Sequence, residues 1–234
     1  MRYVIKFTKE NEIKFISHLD VMRTAQRVVR RAGLPVEYSQ GFNPHMNMSI
    51  AQPLSVGMYS QGEYMDVVFT EEVDEKAIIA SLNENAPRGI RFIEAVKVIQ
   101  PPSQEKKIPQ VMALIDAAEY EITIKTEDSK AAAESIERLM KEETWETLKK
   151  SKKGEKLIDI KPMVKKFEYY VSEENIKIAA VISCGSRENL SAELLSSFII
   201  SKGEGFKNAF VNMERKEMLA EKKGKMVPIY KYFN

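Results

Sequence analysis

The sequence predicts an α+β fold of two ferredoxin-like units, each a β-α-β-β-α-β run with an antiparallel sheet. Three observations predict it. Strand-like and helix-like segments follow one another in that order across residues 1–100. Most of the same order returns after residue 118. Between the two runs lies PPSQEKKIP, residues 101–109, a polar and proline-bearing boundary. The 234 residues leave room for two units of about 100 residues each. No residue-level repeat relates the halves, so their kinship rests on element order alone. The expected organisation is an N-terminal domain over 1–100, a linker over 101–118, a C-terminal domain over 119–200 and a charged extension over 201–234.

Each element has its own warrant. RYVIKF (2–7) alternates and carries β-formers, and EIKFI (12–16) reads as a second short strand. Ser17, three residues before Asp20, is a variant of the capping box and opens a helix. Gly33 and Pro35 end it near Ala32. Leu19, Met22, Ala25, Val29 and Ala32 form its apolar stripe. Residues 36–39 and 46–51 are extended around a Gly-Phe-Asn-Pro-His turn. GEYMDVVFT (62–70) is a strand, DEKAIIASLNENAP (74–87) a helix that begins with acids, and IRFIEAVKVI (90–99) a strand. A short helix is expected at 110–117. EYEITIK (119–125) is a strand and DSKAAAESIERLMKEE (128–143) a helix. A lysine-rich hairpin spans 145–166, with Trp145 placed in the core. Strands at 167–171 and 176–183 and a helix at 191–199 complete the second run. The apolar VPIYKYF near the C-terminus is suited to docking on a sheet.

Composition narrows the function classes. At 44% hydrophobic and 30% charged residues, the chain matches ordinary soluble globular proteins. No apolar run approaches the roughly 20 residues of a membrane span, and MRYVIKFTKENEIKF has no signal core. The expectation is a cytoplasmic protein with no membrane contact. A single cysteine, Cys184, excludes an internal disulfide and any all-cysteine cluster within the chain. A net charge of +2 does not by itself argue for nucleic acid, so the distribution of charge has to carry that argument.

The informative stretch is 15–54, which holds the only histidines, His18 and His45. Arg23, Arg27, Arg30 and Arg31 fall on one helix face, with Asp20 placed to pair with Arg23. A row of guanidinium groups suits phosphates, because each presents a planar donor fork. A solvated arginine face is the plainer alternative. In the turn, Gln40, Phe42, Asn43 and His45 offer an aromatic ring, amides and an imidazole that could stack on and bond a base. An irregular crossover whose Phe42 plugs the core would use the same residues. His18, Asp20 and His45 are also the candidates for a metal triad or an acid–base pair. The local spacing matches no metal motif, and no metal and no cofactor are expected. The third feature is Lys149-Lys150-Ser151-Lys152-Lys153-Gly154-Glu155-Lys156, a basic hairpin tip. Its Lys150, Lys152, Lys153 and Lys156 are placed to hold a polyanion backbone.

These residues also carry a resemblance. FISHLD, then MRTAQRVVRRAGLP and YSQGFNPHM, is similar to the bacterial radical-SAM-linked family. Its members stand alone or form the C-terminal part of larger B12-binding radical SAM proteins. The likeness continues through PLSVGMYSQGEYMDV, LNENAPRGIRF and KKGEKLIDIKP, so it covers most of the chain. That family often has proline where Met46 stands here. The cysteine triplet of true radical SAM enzymes is absent, so this chain cannot hold their cluster. What the resemblance implies is an accessory or substrate-presenting partner of a radical SAM enzyme.

Three functions follow as expectations. The first is a non-catalytic module that binds RNA, or presents substrate, for an RNA-modifying radical SAM enzyme. The second is a protein-interaction module that touches no nucleic acid. The third is a metal-independent enzyme using His18 and His45 on RNA or a phosphorylated small molecule. The arginine face, the GFNPH turn and the lysine hairpin favour the first.

Overall fold

The computed structural model describes residues 1–100, 108–151, 154–206 and 210–233. Within them the chain is α+β with a mostly antiparallel sheet. It forms two compact units, Met1–Asp116 with Glu217–Asn234, and Ala117–Lys216.

The first unit opens with β1 (Arg2–Lys9), whose Tyr3, Ile5 and Phe7 all point into the core. EIKFI does not continue as a strand. A tight 3-10 turn at Asn11–Ile13 takes its place, closed by Ile13 N–H to Glu10 O (3.0 Å) and Ile16 N–H to Ile13 O (2.9 Å). A strand would put Ile13 and Phe15 on one face, but Ile13 packs on the core and Phe15 is exposed. α1 (His18–Arg31) then begins at Ser17, whose Oγ accepts from Asp20 N–H at 3.3 Å. Its buried stripe is Val21, Ala25, Val28 and Val29. Met22 and Ala32 are half-buried, and Leu19 turns to solvent instead.

β2 (Met48–Ile50) and β3 (Tyr59–Val68) follow, then α2 (Glu75–Asn85) and β4 (Phe92–Lys97). Asp74 caps α2 by accepting from Ala77 N–H at 3.0 Å. Met65 pairs with Ile5 on one side and Ile50 on the other, so the strands run in the order β4-β1-β3-β2, all antiparallel. Both helices pack on the face lined by Tyr3, Ile5, Met65, Val67 and Phe92. Burying each such large side chain contributes about 1.5–3 kcal/mol. α3 (Val111–Leu114) ends this part of the unit. Residues 101–107 of the expected linker lie outside the described residues.

The second unit is built from β5 (Ala117–Lys125), α4 (Ser129–Lys141), a hairpin of β6 (Glu146–Ser151) and β7 (Gly154–Asp159), β8 (Val164–Val171), β9 (Asn175–Ser183) and α5 (Ala192–Lys202). Ile122 and Ile124 on β5 and Ile176, Ile178 and Ile182 on β9 are fully buried. Trp145 lies in the core as expected, 3% exposed, with its indole N–H on Leu139 O (2.9 Å) and its ring 5.8 Å from Phe198. Residues 201–234 are not an extension. They contain β10 (Val211–Lys222), which flanks β5, with Lys125 N–H on Phe210 O (2.9 Å). The strand order is β10-β5-β9-β8. Charge hid this strand from the sequence, because ERKE interrupts its alternation.

From Glu217 the chain belongs to the first unit again. Glu217 accepts from Tyr64 Oη (2.7 Å) and Lys6 Nζ (2.6 Å). The Tyr64 hydroxyl is driven far above its ordinary pKa, chiefly by burial and then by that carboxylate. Lys223 and Gly224, both with positive φ, turn β10 into β11 (Lys225–Pro228), and α6 (Ile229–Tyr232) follows.

Candidate phosphate-binding pocket

Helix α1 sorts its arginines into different surroundings. Asp20 sits in the first turn and takes Arg23 at 3.1 Å, while the Ser17 hydroxyl bonds its other oxygen at 2.7 Å. The Ser17 bond, then the Arg23 bond, holds the Asp20 carboxyl below its ordinary pKa. Asp20 thus serves the cap and Arg23. Arg27, Arg30 and Arg31 make no ion pair or side-chain hydrogen bond among the described residues. Arg27 and Arg31, one turn apart, open on a pocket of about 250 Å³. Arg30 is exposed and does not line it.

The pocket lies between α1, the turn after β1 and the Pro87–Ile90 turn. Ile13, Ile16, Val21, Val28 and Ile90 supply apolar wall, and Thr24 a hydroxyl. Arg88 joins Arg27 and Arg31 in its lining. Glu12 takes Arg88 through Nε (3.1 Å) and Nη2 (2.7 Å) and so fixes its guanidinium plane. Gly89 makes this wall possible. Its φ is +91°, and a Cβ there would stand 2.7 Å from Ile13 Cγ2. Its carbonyl accepts from Glu10 N–H at 2.9 Å and seats the turn. Sequence reasoning found Arg27 and Arg31 but missed Arg88 and the pocket, because contacts between residues 12 and 88 leave no periodic trace.

His18 is elsewhere. It stands beside Lys9 and Glu63, which are 2% and 3% exposed, with Ile50 and Leu54 around a cavity of about 10 Å³. Burial lowers the imidazole pKa, the Glu63 carboxylate opposes that, and Lys9 adds to it. Lys9 Nζ donates to Lys14 O at 2.9 Å. A signal for this cluster was present. Lys9 continues the inward series Tyr3, Ile5, Phe7, and Glu63 precedes Met65, Val67, Phe69 on the same alternation.

The GFNPH turn projects from the other end of β2. Ser39 N–H bonds His45 O (2.8 Å), His45 N–H bonds Ser39 Oγ (3.0 Å), and Tyr38 bridges to Met46. Between His45 and Ile50 the chain bends at Asn47, where Met48 N–H bonds Met46 O (2.8 Å), before β2 begins. His18 lines the small cavity and His45 does not. Phe42 does not plug the core but is fully exposed, at 112% of its reference area. The side chains of Gln40, Asn43 and His45 are exposed and make no hydrogen bond among the described residues. No group of three potential metal-ligating side chains occurs among the described residues.

In the hairpin, Leu148 pairs across to Leu157 and Lys149 to Lys156. Lys149 donates to Asn189 O (2.7 Å), whereas Lys156 is exposed. Lys150 lies opposite Glu155 in the strand register. Lys152 and Lys153 lie outside the described residues. The hairpin belongs to the second unit and the arginines to the first. Cys184 is buried.

No curated protein matches the chain. Among solved structures, a crystal structure of a Cbf5-Nop10-Gar1 complex is similar at a TM-score of 0.49 and 13% identity, over 92% of this chain and 48% of that one. The chain thus spans about half the length of that relative. An unknown protein from Galdieria sulphuraria is similar at a TM-score of 0.25 and 11% identity, over 92% of this chain and 97% of that one. A family model for uncharacterized proteins conserved in bacteria, DUF2344, matches residues 2–192, and the chain belongs to that family.

Proposed function

We propose that this protein is a non-catalytic binding module that holds RNA by its phosphates and presents it to a radical SAM enzyme in the cytoplasm. The observation that carries the reading is the division of labour on α1. Arg23 is paired with Asp20 at 3.1 Å, while Arg27 and Arg31 line a pocket with no carboxylate at ion-pair distance among the described residues. Guanidinium groups left without a carboxylate are ready to take phosphate oxygens in charge-assisted bonds. Exposed Phe42, with Gln40 and Asn43 free beside it, adds a surface on which an unstacked base can lie. Exposed Lys156 on the β6–β7 hairpin offers a further cation for the backbone. The partner comes from the resemblance of the SHLD and GFNPH segments. Both units are read as ferredoxin-like, since β4-β1-β3-β2 and β10-β5-β9-β8 are one order when strands are counted within each unit and the separate β6–β7 hairpin is left out. Among the described residues, no helix is long and apolar enough to cross a membrane. The test is binding of single-stranded RNA by the purified chain, compared with the Arg27→Ala/Arg31→Ala variant. Loss of binding in the variant supports the reading, and unchanged binding overturns it.

A second reading, docking on a protein without nucleic acid, is favoured by Phe15 and Leu19, 73% and 63% exposed beside the α1 N-terminus. Their replacement by serine should release a protein partner and leave RNA affinity unchanged. The enzyme reading loses ground, because the cavity beside His18 has room for about one water molecule and not for a substrate.

A further inference from the structure

We infer that the pocket beside α1 receives one unstacked nucleotide of the bound RNA, with the base inside and its phosphate on Arg27 and Arg31. The inference rests on the RNA-binding reading and names the unit of RNA that is recognised. Four features of the pocket point to it.

The first is size. About 250 Å³ lies below the roughly 300–1,000 Å³ of pockets that enclose drug-sized ligands. One ring system fits, while an extended chain or a folded polymer does not. The second is the pairing of two kinds of lining. Ile13, Ile16, Val21, Val28 and Ile90 give the flat faces of a base an apolar surface. Arg27 and Arg31 supply two cations one helical turn apart for the anionic part of the same ligand. A purely apolar ligand would leave those cations unused, and a bare phosphate would leave the apolar wall empty.

The third feature is Arg88. Its bonds to Glu12 hold the guanidinium edge, and its side chain is 89% exposed. A guanidinium held by its edge keeps its faces available, and arginine planes stack on bases. Thr24 adds one hydroxyl that can donate to or accept from a base edge. The fourth is the requirement on the nucleic acid. A base can enter a slot only after leaving its stack, which costs least in loops, bulges and ends of single strands. The ligand class is therefore a nucleotide in single-stranded RNA, and not a duplex.

The experiment uses the full chain and three probes, uridine monophosphate, uridine and inorganic phosphate, followed by NMR shift perturbation and calorimetry. Single-stranded RNA is titrated in parallel at several salt concentrations. Thr24→Trp fills the pocket from an only half-buried position. Arg88→Ala, at an exposed site, is the second variant should the tryptophan lower the melting temperature. The expected result is that the monophosphate binds at least tenfold more tightly than uridine or phosphate alone. Both variants should weaken it at least tenfold. Both should also weaken RNA binding, while the slope of log affinity against log salt stays as in the wild type. RNA affinity untouched by both variants, with no monophosphate binding, overturns the nucleotide pocket and leaves the RNA reading standing. Monophosphate binding that both variants abolish, in a chain that binds no RNA, overturns the RNA reading and leaves a small-nucleotide site.

Discussion

Arg27 and Arg31 stand one turn apart on α1 and line the same pocket, although Arg23, one turn earlier on the same face, is tied to Asp20 at 3.1 Å. The helix thus presents two available guanidinium groups and one committed to its own cap. The wall opposite depends on a glycine at a left-handed position and on a turn that brings Arg88 to Glu12.

That wall gives the first prediction. Gly89→Ala puts a Cβ 2.7 Å from Ile13 Cγ2 at a φ of +91°. Strain of this kind costs about 1–3 kcal/mol. Urea unfolding followed by circular dichroism should show a lower midpoint for the first unit. The fluorescence transition of Trp145, in the second unit, should shift less. Equal shifts for both probes would mean that the two units unfold together.

His18 gives a pH dependence. Its folded-state pKa lies below the 6.5 of the free side chain, mainly through burial. Below about pH 6.5 the unfolded chain therefore binds the proton more readily than the folded one. The stability is fully present above that pH and is lost as pH falls towards the folded-state value. His18→Gln should flatten the stability profile below about pH 6.5. A profile that keeps its slope in the variant would place the titrating group elsewhere.

Lys9 and Glu63 test the buried charges beside it. Removing one member of a buried charged cluster typically costs about 3–5 kcal/mol, whereas replacing opposite charges together by apolar residues is often nearly neutral. Glu63→Leu should be strongly destabilising, and Lys9→Met/Glu63→Leu much less so. Denaturant midpoints of the two variants measure the difference. A double variant as unstable as the single one would show that the charges are held by separate partners.

Much of the fold was legible because its signals are local. Ser17 before Asp20, Asp74 before Ala77 and the alternation of Tyr3, Ile5 and Phe7 each fix an element within a few residues. The EIKFI segment was misread because a short apolar run fits a strand and a pair of tight turns equally well. The turn was decided by Ile13 packing on the core while Phe15 stayed in water. β10 was missed because charged residues cover a strand that is half-buried all the same. The site was legible only in part. Helical spacing put Arg27 and Arg31 on one face and Asp20 beside Arg23, but it could not show that Arg88 would meet them. Of the candidate acid–base pair, His18 is half-buried beside Lys9 and Glu63 and His45 is exposed in the GFNPH turn, a sorting that local periodicity does not encode.

The most direct measurement of the central claim is the salt dependence of single-stranded RNA binding. Each neutralised phosphate contributes a slope of about −0.7 in log affinity against log salt for single strands. Arg27→Ala/Arg31→Ala, which removes both cations from the one phosphate they share, should therefore make the slope shallower by about 0.7 and weaken binding at every salt concentration. Arg23→Ala, whose guanidinium is already held by Asp20, should leave the slope as it is. A slope unchanged by the double substitution, or changed equally by Arg23→Ala, would contradict the assignment of Arg27 and Arg31 as the phosphate ligands.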